Sequence, residues 1–287
     1  MKKIFLKTAL CLLIVGIPKV SYAGTSKIAS IGSIERDAII VRISTGDVEK
    51  KLAKTNQWLP VAIGSDLSDD DTIRTGKNST ILLELPENVG YVRLMPETEL
   101  KVNKIKVDRS FEGGQIAELS IVKGKVITKV RKFNRKSSKL QIHTKGATAA
   151  VRGTSFLTSF NDNNETKVLV GDGKVSVKAQ GKEVIVQQRE STNVLMGNMP
   201  VNPYVVTKTL EFNLASIKAD NGDLKVSGKT DPDAEISLNT TSIFANNDGS
   251  FSGNMTLKEG SNQVAIKAST IDGRAKVSNL RVIKFTD

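Results

Sequence analysis

Val, Ile, Thr and Ser alternate with polar residues along most of this 287-residue chain, and Gly, Asn and Asp interrupt the alternation at short intervals. A period of two sends successive side chains to opposite faces of a strand, so such segments bury one face and wet the other. No stretch longer than a turn or two carries a helical period. The expected fold class is therefore all-β. Two segments echo each other, Leu119–Val126 around Lys123-Gly124 and Val168–Val175 around Gly171-Asp172-Gly173. Both read as hairpins with a glycine-bearing turn. The second is no phosphate loop, because the helix such a loop needs does not follow it.

The first 23 residues read as an export signal rather than as part of the fold. Lys2 and Lys3 precede the apolar run Ala9–Ile17, and Ser21 and Ala23 place small residues where a signal peptidase cuts. The run is too short to span a bilayer. Cys11 lies inside it, preceded by Leu10 and not by the small residue a lipoprotein site wants. Export to the periplasm or the cell surface is expected, with no transmembrane anchor.

Cys11 is the sole cysteine, so the remaining chain has no disulfide, no thiol nucleophile and no thiolate metal site. His143 is the sole histidine and alternates onto the polar side of Leu140 and Ile142. It has no second histidine for a metal pair, and no Gly-x-Ser-x-Gly elbow offers it a nucleophile. Asp66, Asp69, Asp70 and Asp71 cluster before a strand, but their spacing matches no calcium loop and reads as a solvated turn. Neither a catalytic set nor a cofactor or metal is expected.

Charge is unevenly placed. From Ser120 to Asn161 there is no Asp or Glu, while Lys123, Lys125, Lys129, Arg131, Lys132, Arg135, Lys136, Lys139, Lys145 and Arg152 all fall there. A period of two places Val122, Val126 and Val130 on one strand face and Lys123, Lys125, Lys129 and Arg131 on the other, with Arg135, Lys136 and Lys139 at the turn beyond. Two readings follow. The lysines keep a wet strand face soluble, or they form a basic face for an anionic envelope component or an acidic protein partner. Phe133 is the only aromatic residue beside them, so nucleic acid is not an expected partner. Arg152 lies in the small, nearly uncharged stretch Gly146–Phe156. A guanidinium there is expected to be a buried or half-buried strut between strands, because it cannot shed its proton.

Trp58, Gly64, Asp71–Gly76, Ser79, Leu94 and Leu100, Leu119 to Val126, Ala149–Phe156 and Val168 to Val175 together resemble a FecR-type domain, over residues 28–195. The resemblance implies an extracytoplasmic β domain, sandwich or roll, in which Val151, Arg152, Gly153 and Thr154 form a family motif of structural character. The family's founding member is a membrane-anchored regulator that relays a ferric-siderophore signal to a sigma factor. Residues 196–217 read as a linker, broken by Gly197, Pro200 and Pro203. Residues 218–287 resemble a bacterial immunoglobulin-like domain in Thr230-x-Pro232-x-Ala234, Asp248-Gly249-Ser250-Phe251 and Gly260-x-Asn262-x-Val264. The main functional expectation is a non-catalytic envelope binding or scaffold protein. The alternative is an extracytoplasmic sensor component that signals through a membrane partner.

Overall fold

The computed structural model describes residues 37–110, 113–135, 137–220 and 222–284. The expected export signal lies outside the described residues. Strands dominate the rest, as the alternation requires. In chain order they begin with β1 (Ile39–Thr45), β2 (Val48–Lys51), β3 (Trp58–Pro60), β4 (Asp66–Leu67), β5 (Thr72–Thr75) and β6 (Thr80–Glu84). Then come β7 (Gly90–Leu94), β8 (Glu99–Val107), β9 (Gln115–Val130), β10 (Lys139–His143), β11 (Thr148–Val151) and β12 (Thr154–Phe160). The first body closes with β13 (Glu165–Asp172), β14 (Lys174–Ala179), β15 (Lys182–Gln187), β16 (Glu190–Leu195) and β17 (Tyr204–Val205).

These strands form two facing sheets that share one member. The first sheet runs β4-β1-β6-β7-β9-β12-β13-β16-β17. The second runs β3-β2-β5-β8-β9-β10-β11-β14-β15. All neighbours are antiparallel except β9 and β10. The shared strand is β9, 16 residues long. Its N-terminal half pairs with β8 and β10, and its C-terminal half with β7 and β12. Between the sheets lies one core, with Ile39, Leu83, Leu94, Leu119, Phe156, Val168 and Val177 among its members.

The chain passes from sheet to sheet at corners, and two of these replace the expected hairpins. At Lys123-Gly124 the chain does not reverse. Glu99 faces Lys123 and Leu100 faces Ile121, so Val122 is an extra, bulged residue, and Gly124 follows at φ +91°. A bulge bends a strand and raises its twist, which lets β9 leave one sheet and enter the other. At Gly173, φ +81°, the chain leaves β13 in the first sheet for β14 in the second. A turn glycine marks a change of direction, but the partner strand decides whether the change is a hairpin or a corner.

The C-terminal body is a smaller sandwich. One sheet joins β18 (Phe212–Asp220), β19 (Asp223–Thr230) and β22 (Ser250–Thr256). The other, in the order β21-β20-β23-β24, joins β20 (Glu235–Leu238), β21 (Thr241–Phe244), β23 (Gly260–Ser269) and β24 (Ala275–Lys284). Leu224, Val226, Ile236, Leu238, Phe251, Val264 and Ile266 fill the space between them. The segment expected as a linker is partly built into both bodies. Tyr204 and Val205 still pair with β16, and Phe212–Asp220 is already the first strand of the sandwich. Only residues 206–211 connect the two. The signal was weak because Pro200 and Pro203 flank an edge strand, where proline is tolerated, and because β18 is half-exposed along its length.

Candidate functional site

The family motif sits at the corner between β11 in the second sheet and β12 in the first. Val151 and Thr154 point inward and are buried, and Thr154 Oγ1 donates to the Lys174 carbonyl at 3.1 Å. Gly153 lies at φ +133°, and a Cβ on it would stand 2.5 Å from Lys132 Cα. The motif's constraint is therefore the glycine. Arg152 is exposed, which corrects the expected buried or half-buried strut: with Val151 turned into the core and Gly153 making the bend, Arg152 is thrown outward. Its backbone carbonyl, not its guanidinium, ties the corner, accepting from the Phe133 N–H at 3.2 Å. Arg152→Ala should accordingly shift the stability of this body by no more than about 0.5 kcal/mol. A loss of several times that amount in urea denaturation would restore the strut.

The basic residues do not form one exposed face. The bulge at Val122 changes the phase of β9, so Val122 is 38% exposed while Ile121 takes the core position. Lys123 and Lys129 are exposed, but Lys125 is 6% exposed. Arg131 Nη2 donates to the Glu87 carbonyl at 2.8 Å. Arg135 Nη1 reaches three carbonyls, those of Asp108, Ser110 and Gly113, at 3.2, 3.3 and 2.9 Å. Both arginines thus brace neighbouring loops. Lys139 is exposed, and Lys136 lies outside the described residues. The aspartates close turns: Asp71 accepts from Ala53 N at 3.0 Å and Ser68 N at 2.9 Å, and Asp69 accepts from Ile105 N at 2.6 Å. His143 Nδ1 sits 3.0 Å from Thr148 Oγ1, and burial pushes its pKa down. Among the described residues no group of three or more His, Cys, Asp or Glu is placed to hold a metal.

The arrangement that sequence reasoning missed is on the outer face of the first sheet. Cross-strand pairing sets Arg93, Ile127, Leu157 and Leu169 in one row and Lys125, Ser159 and Lys167 in the next. Leu157 and Leu169 are fully buried, yet they point away from the main core. The C-terminal sandwich shields them, because the flanking positions of the same face meet its loops. Lys125 Nζ donates to the Pro232 carbonyl at 2.6 Å and lies 3.8 Å from Asp233 Oδ1. Lys167 Nζ pairs with Asp233 Oδ2 at 2.7 Å. Arg93 stands over the Phe244 ring, 5.0 Å from its centroid. Asn78 and Asn246 exchange two hydrogen bonds of 3.0 Å, Asn78 donating from its backbone N–H and Asn246 from its side chain. At Gly171 the Ile271 carbonyl comes so close that a Cβ would stand 2.4 Å from it.

Burial pushes the Asp233 carboxyl up, but the Lys167 and Lys125 ammoniums together outweigh it and hold it below the usual carboxylate range. Burial pushes the Lys125 ammonium down, and Asp233 offsets this in part. Burial likewise lowers Arg93, against the attraction of Glu235. Two lysines therefore share one carboxylate in a desolvated seam. A polar cleft of about 640 Å³ opens beside it, lined in part by Lys123, Lys125, Lys167, Asn161 and Asp233. No spacing rule could reveal this cluster, since Lys125 and the Pro232 carbonyl it meets are 107 residues apart.

The FecR protein family model matches residues 71–176, from the residue before β5 into β14. Those residues are a FecR domain. Strands β1–β4 and β15–β17 complete the two sheets that the FecR domain begins. Two crystal structures of a "putative anti-sigma factor" from Parabacteroides distasonis ATCC 8503 are similar at 18% identity, with TM-scores of 0.38 and 0.37. The alignment covers 46% of this chain and 59% of the Parabacteroides chain in each case, so the shared part is about three fifths of that protein. No curated protein matches the chain. Among the described residues no helix is long and apolar enough to cross a membrane.

Proposed function

We propose that the chain is the extracytoplasmic sensor component of a FecR-type signalling system, non-enzymatic and acting with a membrane partner. The FecR domain at residues 71–176 carries this reading. It favours the signalling role over the scaffold role, whose anionic partner leaned on a basic face. Lys125 is buried against the C-terminal sandwich, and Arg131 and Arg135 are committed to loop carbonyls. Export through residues 1–23 and a site outside the cytoplasm belong to the same proposal.

The test is transcriptional. In the producing cell, deletion of the gene should change the transcript levels of a discrete set of genes under one sigma factor, and the full chain supplied in trans should restore them. An unchanged transcript profile, under both resting and envelope-stress conditions, would leave the chain without a regulatory role.

A further inference from the structure

The outer face of the first sheet has the anatomy of a protein interface, with an apolar centre and a charged rim. Ile127, Leu157 and Leu169 form the centre, and Arg93, Lys125 and Lys167 form the rim. Within this chain the occupant is the C-terminal sandwich, through Pro232, Asp233, Phe244 and Ile271.

The fit is electrostatically incomplete. Lys125 and Lys167 converge on the single carboxylate of Asp233, so two ammoniums divide one directly paired carboxylate, with a weaker pull on Lys125 from Glu97. Burying charge is costly unless each ion is paired, and an ion pair replaced by apolar residues of the same volume is often no less stable. A contact kept for stability alone would therefore be apolar. One that must form and release gains from being set by charge.

We propose that the C-terminal sandwich is a detachable cover on this face, and that when it lifts, the face takes an acidic loop of a partner protein. The competitor needs what the cover offers, a turn presenting a backbone carbonyl and a carboxylate, together with a second carboxylate so that the two lysines no longer share one. Such a loop satisfies the face more fully than the cover does, which gives the exchange its direction. This extends the sensor reading by naming a regulated surface. The measurements below read the contact itself, so the cover and the signalling role can each fail alone.

The experiment uses the full chain with Cys11 replaced by serine, and probes attached through Lys178→Cys and Lys258→Cys, both exposed positions in different bodies. The parent should give one narrow distance distribution. Two changes should raise the separated population about 100-fold, as expected for breaking a buried pair from one side. They are Asp233→Lys and Gly171→Val, whose new side chain is driven onto the Ile271 carbonyl. The charge swap Lys167→Asp with Asp233→Lys should return most molecules to the narrow distribution, which separates release from misfolding. If both single variants keep the parent's distribution, or the swap does not recover it, the cover is not set by these charges.

The second arm adds a peptide of residues 229–237 carrying Ala234→Asp, which places the extra carboxylate beside Asp233. It should bind the Gly171→Val chain at least about tenfold more tightly than it binds the parent, and more tightly than the unsubstituted peptide does. Equal binding in these comparisons would overturn the exposed acidic-loop site.

Discussion

Phe156→Ala should lower the stability of the FecR-containing body by about 3–5 kcal/mol. Phe156 is fully buried and is the largest of the wholly enclosed side chains. It sits mid-strand in β12, with Thr128 of β9 directly opposite on one side and Val170 of β13 on the other. Removing the ring leaves a cavity that flanking strands cannot close, because their hydrogen bonds fix their spacing. One neighbour works against the full cost. The Thr128 hydroxyl is buried without a hydrogen-bond partner among the described residues, and a water admitted to the cavity gains a ligand there. The effect should therefore fall nearer the lower figure. Urea denaturation followed by tryptophan emission of Trp58 reads it. A loss below about 1 kcal/mol would mean that the two sheets collapse onto the gap, contrary to a rigidly shared core.

Gly153→Val should cost about 3 kcal/mol or more, by a different mechanism. Its φ of +133° is a conformation that L side chains rarely adopt. The space a Cβ would need is filled by Lys132 backbone atoms, 2.5 Å from Cα and 2.8 Å from N. Neither obstacle is a flexible side chain, so the corner must open or the two sheets must shift. Arg152→Ala, one residue away, is the matching control. A Gly153→Val protein with the parent's denaturation midpoint would show that the corner is looser than its backbone geometry implies.

The contrast between these neighbours shows what the sequence could reveal. Alternation located many of the strands but not β15 to β18, and the C-terminal core positions Leu224, Val226, Ile236, Leu238, Val264 and Ile266 follow from it directly. The glycines at 124, 153 and 173 were visible as special points. Alternation did not say which sheet a strand joins, so two corners read as hairpins. A single bulged residue, Val122, was enough to shift the phase of β9 between its two halves, whereas Lys125 keeps the outward phase and is buried only because the C-terminal sandwich covers it. Arg152 looked buried because its surroundings are small and apolar, but a residue at a bend does not follow the alternation of the strands on either side. The Lys125–Asp233–Lys167 cluster was beyond reach, since it depends on how one folded body rests on another.

The strand common to both sheets has a mechanical consequence. Because β9 contributes its N-terminal half to one layer and its C-terminal half to the other, neither layer can fray from its centre without pulling on the other. Force applied to one layer passes along a covalent chain instead of across a slippery apolar contact. Assembly carries the corresponding penalty. Strands β7, β8, β10 and β12 must all find β9 before either layer is complete, so the body should form slowly for its size and come apart as one unit.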